Sequence, residues 1–83
     1  ENDLKKEVNQ VMENLSAVLA EGDMTFSNVV KSSIFIDDMN NFETVNEVYG
    51  KYFDNKTAPA RETVAVRTLP KKVRVEISMI AYD

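Results

Sequence analysis

Near the start of the chain, apolar residues recur at helical spacing. Leu4, Val8, Val11, Met12, Leu15, Val18 and Leu19 fall on one side of a 3.6-residue period. The spacing predicts an amphipathic helix over residues 3–21, with Met12 as core filler. Asn2 or Asp3 is placed to cap its start, and Gly22 to end it, with the left-handed position on Gly22 or Asp23. Over residues 28–36 the period drops to two. Val30, Ile34 and Ile36 share a face with Ser32, while Val29, Ser33 and Phe35 share the other with Lys31. Apolar groups on both sides imply a strand covered on both faces, or one facing a partner chain. Asp37-Asp38-Met39-Asn40 reads as a turn. Helical spacing then returns in Phe42, Val45, Val48, Tyr49, Tyr52 and Phe53, predicting a second helix over 41–53. Asn40 stands as its N-cap, with Glu43 completing a capping box. Asn46 lies one position off that apolar stripe, where simple exposure is the plain reading.

After the turn-rich stretch Asp54-Asn55-Lys56-Thr57-Ala58-Pro59, the alternation predicts a β-hairpin. Its arms are 62–67 and 73–82, joined through Thr68-Leu69-Pro70-Lys71-Lys72. In the second arm Val73, Val75, Ile77, Met79 and Ala81 share a face opposite Arg74, Glu76, Ser78, Ile80 and Tyr82. In the first, Val64 and Val66 lie opposite Arg61, Thr63, Ala65 and Arg67. A hairpin centred near Leu69 and Pro70 sets Arg61 about opposite Ser78 and Thr63 about opposite Glu76. Arg61 and Glu76 then become diagonal neighbours, about 7–8 Å apart, on the face away from the core. Such a pair is either a site for a carboxylate and a water or a solvated cross-strand ion pair worth about 0.2–1 kcal/mol.

Helix, strand, helix, strand, strand without repeats predicts an α+β fold: a two-layer sandwich with both helices on one face of a three-stranded mixed sheet. The first strand reaches the later ones across a helix, which implies a parallel neighbour and a right-handed crossover. The helices would cover the Val75/Ile77 face. The Arg61/Glu76 face stays bare unless another subunit covers it, which argues for self-association.

Composition narrows the chemistry. With 83 residues, a single domain over 1–83 is expected. The net charge of −4 argues against nucleic-acid binding, which needs a clustered basic face. Lys71, Lys72 and Arg74 read as a gatekeeper at the turn. The chain contains neither cysteine nor histidine, so thiolate chemistry and the commonest general base are both missing. No metal site is expected, since Asp37 and Asp38 lack further ligands nearby. No apolar run approaches about 18 residues, so no membrane partner is expected, and the default compartment is cytoplasmic.

Several stretches resemble the Rid (YjgF) family. They are Asn14-Leu15, Val29-Val30-Lys31, Ile34-Phe35-Ile36, Met39-Asn40-Asn41-Phe42, Val45-Asn46, Pro59-Ala60-Arg61, Leu69-Pro70 and Val75-Glu76-Ile77. The resemblance implies a chorismate-mutase-like fold, a homotrimer, and ligand clefts between subunits. It implies hydrolysis of reactive 2-imino and 2-enamino acids to 2-keto acids and ammonia without a cofactor. Carried over by position, Arg61 grips the substrate carboxylate and Glu76 helps place the attacking water. Asn46 and Thr63 complete the substrate-binding set, Thr63 standing where relatives often carry cysteine. An imine is already electrophilic, so positioned water and proton transfer suffice without a protein nucleophile.

The chain departs from this pattern at its start. The resemblance implies that the family's N-terminal β-hairpin is lacking here, along with a tyrosine and a Ser-Gly pair that help line the cleft. Gly22-Asp23 also departs from the usual order. Two alternatives therefore stand beside the 2-iminobutanoate/2-iminopropanoate deaminase: a binder of carboxylate ligands without turnover, and a truncated or engineered scaffold without activity.

Overall fold

The computed structural model describes residues 2–53, 58–70 and 73–82, and for Asn2 only the backbone. The turn expected over 54–57, Lys71 and Lys72 of the basic cluster, and a cap by the Asn2 side chain lie outside the described residues. Helix α1 (Asn2–Glu21) carries Asp3 in its first turn, where a carboxylate meets the positive end of the helix dipole. Leu4, Val8, Met12 and Leu19 are buried, and Val11 and Leu15 pack partly against the core. Val18, at the margin of the stripe, is 65% exposed.

The helix ends in a Schellman motif. Met24 N–H donates to the Leu19 carbonyl and Asp23 N–H to the Ala20 carbonyl. The left-handed residue is Asp23, at φ 59°, rather than Gly22. Asp tolerates that region at a cost glycine avoids. Asp23→Gly is therefore expected to stabilise the fold by about 0.5–1 kcal/mol, read as a higher urea midpoint at unchanged slope.

A short 3-10 turn (Phe26–Asn28), capped reciprocally by Thr25 and Asn28, delivers the chain into strand β1 (Val29–Ile36). A register shift between Val29 and Lys31 interrupts the alternation. Val29 is buried and Val30 is 47% exposed, so the bulge corrects the expected placing of Val30 on the core face. From Ser32 onward the alternation holds, and Ser32, Ile34 and Ile36 face the helices.

Helix α2 spans Phe42–Gly50, shorter than the sequence predicts. Residues 51–53 continue as tight turns, their N–H groups bonding to Val48, Tyr49 and Gly50 carbonyls. The expected Asn40–Glu43 capping box is absent. Met39–Asn41 form a 3-10 turn instead, and Asp38 accepts from Asn40 N–H at 2.9 Å. An aspartate two residues earlier has taken the capping role, and Asn41 precedes α2 without a side-chain cap.

The hairpin is corrected. Strands β2 (Ala60–Ala65) and β3 (Val75–Ala81) do not pair with each other; the sheet order is β2-β1-β3. β1 lies between them, parallel to β2 and antiparallel to β3. The β1-α2-β2 unit delivers β2 to one edge of β1 and leaves the other edge for β3. Leu69, in the connection, is buried, so this segment packs against the protein rather than forming an exposed hairpin tip. The face assignment of β2 also inverts: Val64, read as a core residue, is 40% exposed and pairs with Phe35 on the open side.

The two-layer α+β architecture stands. Leu4, Val8 and Met12 of α1, Val45, Val48 and Tyr49 of α2, and Ile34, Ile36, Val75 and Ile77 of the sheet make one core. Glu7 ties α1 to the approach to β3, accepting from Arg74 Nε at 2.8 Å and from its backbone N–H at 2.9 Å.

Candidate functional site

Arg61 is the second residue of the edge strand β2. Its register partner in the parallel pair is Ser32, whose side chain is fully buried toward the helices. Paired residues in a sheet project to the same side, so Arg61 stands on the helix face, against α2. Asn46 and Tyr49 lie three apart on α2 and so share one of its faces. Arg61 Nη1 donates to Asn46 Oδ1, and the guanidinium carbon lies 5.4 Å from the centroid of the Tyr49 ring. That distance is within the range of a cation–π contact.

The contact continues inward. Tyr49 is 4% exposed, and its hydroxyl donates to Ser32 Oγ at 2.8 Å. Burial pushes the Tyr49 phenol above its usual range, an effect offset in part by the Ser32 hydrogen bond and the positive charge of Arg61. Phe53 packs on the Tyr49 ring at 4.8 Å between centroids, and Phe26 meets Phe53 edge-on at 5.3 Å. An exposed arginine on an edge strand is thus tied through a helix to the central strand.

Thr63 shares the Arg61 face, two residues along β2 in register with Ile34, and is half-buried. Arg61, Asn46 and Thr63 therefore lie on one side, and it is the helix side, whereas the alternation of β2 sets Arg61 and Thr63 on the face away from the core. Glu76 does not join them. It is exposed, in register with Phe35, on the open face of β3. β1 separates its strand from that of Arg61, a span of about 9.5 Å at ordinary strand spacing. The expected diagonal pair on adjacent strands does not exist within one chain. The hairpin assumption placed both residues on one face, and inserting β1 sets them on opposite faces.

Sequence reasoning missed Ser32 and Tyr49. Each carried a signal: Ser32 is the polar member of an otherwise apolar alternation, and Tyr49 brings a hydroxyl to an apolar stripe, where a buried tyrosine requires a partner. Among the described residues no group of three acidic, histidine or cysteine side chains could hold a metal, and no helix is long and apolar enough to cross a membrane.

The arrangement presents a planar cation, oriented by an amide oxygen and an aromatic ring, at the edge of the sheet. A planar guanidinium fork is suited in shape and charge to pair with a carboxylate.

Known proteins share this frame. A RutC family protein of Synechocystis is 49% identical over 98% of this chain and 62% of its own length. The crystal structure of a Rid family protein from Yersinia pestis superposes with a TM-score of 0.91 at 46% identity, over 98% of this chain and 64% of that one. The structure of Escherichia coli TdcF with bound serine matches at 0.88 and 35% identity, over 96% and 65%. The chain spans somewhat under two thirds of the length of these relatives. The family described as Endoribonuclease L-PSP matches residues 1–83 throughout. Sequence and backbone superposition thus agree, and the chain belongs to the Endoribonuclease L-PSP family, which takes in the RutC and Rid proteins.

Proposed function

We propose that this chain contributes to the hydrolysis of reactive 2-imino and 2-enamino acids to 2-keto acids and ammonia, in a cleft between subunits of a homotrimer. The observation that carries this reading is the Arg61 guanidinium, oriented by Asn46 and Tyr49 in a chain of this family. Every 2-imino acid carries a carboxylate beside its reacting carbon, and a planar fork fixes both the position and the orientation of that group. The Thr63 hydroxyl, two residues along the same face, is close enough to serve the same ligand. TdcF holding serine, a small amino acid with a free carboxylate, supports a ligand of this size and charge.

Glu76 completes the reading only across a subunit boundary. Since it lies on the opposite face from Arg61 in its own chain, the glutamate that places water beside Arg61 comes from another protomer. The open face, where Val30, Val64 and Ile80 are exposed beside Glu76, suits burial against other copies. We assign residues 1–83 to one domain of this family, and we place it in the cytoplasm. A net charge of −4 and the lack of histidine in this chain argue against the RNA cleavage that the family's description suggests.

A second reading, carboxylate binding without turnover, is favoured by the same separation of Glu76 from Arg61. Ammonia release from 2-iminobutanoate, generated in situ by an amino-acid oxidase, separates the two. Catalysed release supports the deaminase. Saturable 2-oxobutanoate binding with no acceleration supports the binder.

A further inference from the structure

We propose that Tyr49 is a positioning residue for Arg61: its ring, pinned by Ser32, holds the guanidinium in the orientation that receives a ligand carboxylate. The inference rests on the proposed role of Arg61 as the carboxylate anchor.

Arg61 sits on an edge strand and is itself exposed. A long side chain there ordinarily samples many rotamers, and ordering it on binding costs affinity. The structure supplies the order beforehand. Tyr49 is 4% exposed and Ser32 fully buried, so the 2.8 Å bond between their hydroxyls is sheltered from water. That bond ties the ring to the central strand. Phe53 at 4.8 Å limits its motion further. The guanidinium then lies 5.4 Å from the centre of a buried, hydrogen-bonded ring, while Asn46, one helical turn earlier, takes one of its N–H groups. Two contacts from one rigid helix set the direction of the fork. Tyrosine does what phenylalanine does not, because only the hydroxyl reaches Ser32.

The test reads order and affinity separately. ¹⁵N relaxation of the Arg61 Nε–H group reports its order parameter, and calorimetry with 2-oxobutanoate reports the dissociation constant. Tyr49→Phe and Ser32→Ala should each lower the order parameter and weaken binding about threefold, and Tyr49→Leu about tenfold. Tyr49→Phe and Ser32→Ala keep the ring, so the test survives if Tyr49→Leu fails to fold. An unchanged Arg61 order parameter and affinity in folded Tyr49→Phe and Ser32→Ala would overturn the proposal, since a purely structural tyrosine would lower only the melting temperature. If the order parameter falls but the unmutated protein binds no 2-oxobutanoate, the carboxylate reading of Arg61 fails while its positioning by Tyr49 stands.

Discussion

Arg61→Ala is expected to lower kcat/KM for 2-iminobutanoate hydrolysis by about 10²-fold or more, with little change in melting temperature. Two losses combine. A charge-assisted, two-pronged bond to the substrate carboxylate contributes about 1.5–3 kcal/mol. Without it the imine carbon is also free to drift from the water that attacks it, and a misplacement of about 1 Å can alone cost about 10²-fold. The fold is spared because Arg61 is exposed on an edge strand and lies outside the hydrophobic core. Such a side chain contributes within about 0.5 kcal/mol. Arg61→Lys should rescue little, since an ammonium neither offers two parallel donors nor stacks as a plane on Tyr49. Stopped-flow trapping of the imine with semicarbazide measures the rate. Ordinary turnover in Arg61→Ala would remove this residue from the reaction.

The largest effect on stability is expected at the centre of the sheet. Ile34 is 1% exposed, on the strand that both others flank, in register with Thr63 on one side and Ile77 on the other. Ile34→Ala deletes apolar contacts to both layers and leaves a cavity that a strand paired on both edges cannot collapse to fill. The cost is about 3 kcal/mol. A chain of 83 residues has only about 4–12 kcal/mol to lose, so this one change removes a large share. The melting temperature should fall by about 12–24 °C. A fall of under about 4 °C would mean that Ile34 is not at the packing centre that the register places there.

How far the sequence disclosed this protein depended on what each pattern encodes. Helix α1 was legible because its stripe, from Leu4 to Leu19, runs over about four turns, and a long stripe leaves one solution. The faces of β3 were legible for the same reason, with Val75 and Ile77 inward and Glu76 outward. The partner of each strand was not legible, because alternation encodes faces and says nothing about neighbours. Two alternating runs close in sequence suggested a hairpin, and the buried Leu69 between them gave no warning. That one error carried the Arg61–Glu76 pair with it and inverted the faces of β2. Asn46 was singled out through family resemblance rather than spacing, and the structure sets its amide oxygen against the Arg61 guanidinium. Ser32 and Tyr49 were hidden because one polar atom on an apolar face changes the period hardly at all. Only the register, which sets Ser32 beside Arg61, shows why both are there.

The opposed faces of Arg61 and Glu76 turn the functional reading into a question about subunits. Two variants answer it: Arg61→Ala, and Glu76→Gln, which keeps the shape of the side chain without its charge. Each alone is expected to be inactive. Unfolded together in equal amounts and refolded as mixed oligomers, they should recover about a quarter of the unmutated activity, because random assembly gives about one cleft in four an intact arginine from one protomer and an intact glutamate from its neighbour. A mixture no more active than either variant alone would contradict a cleft shared between subunits.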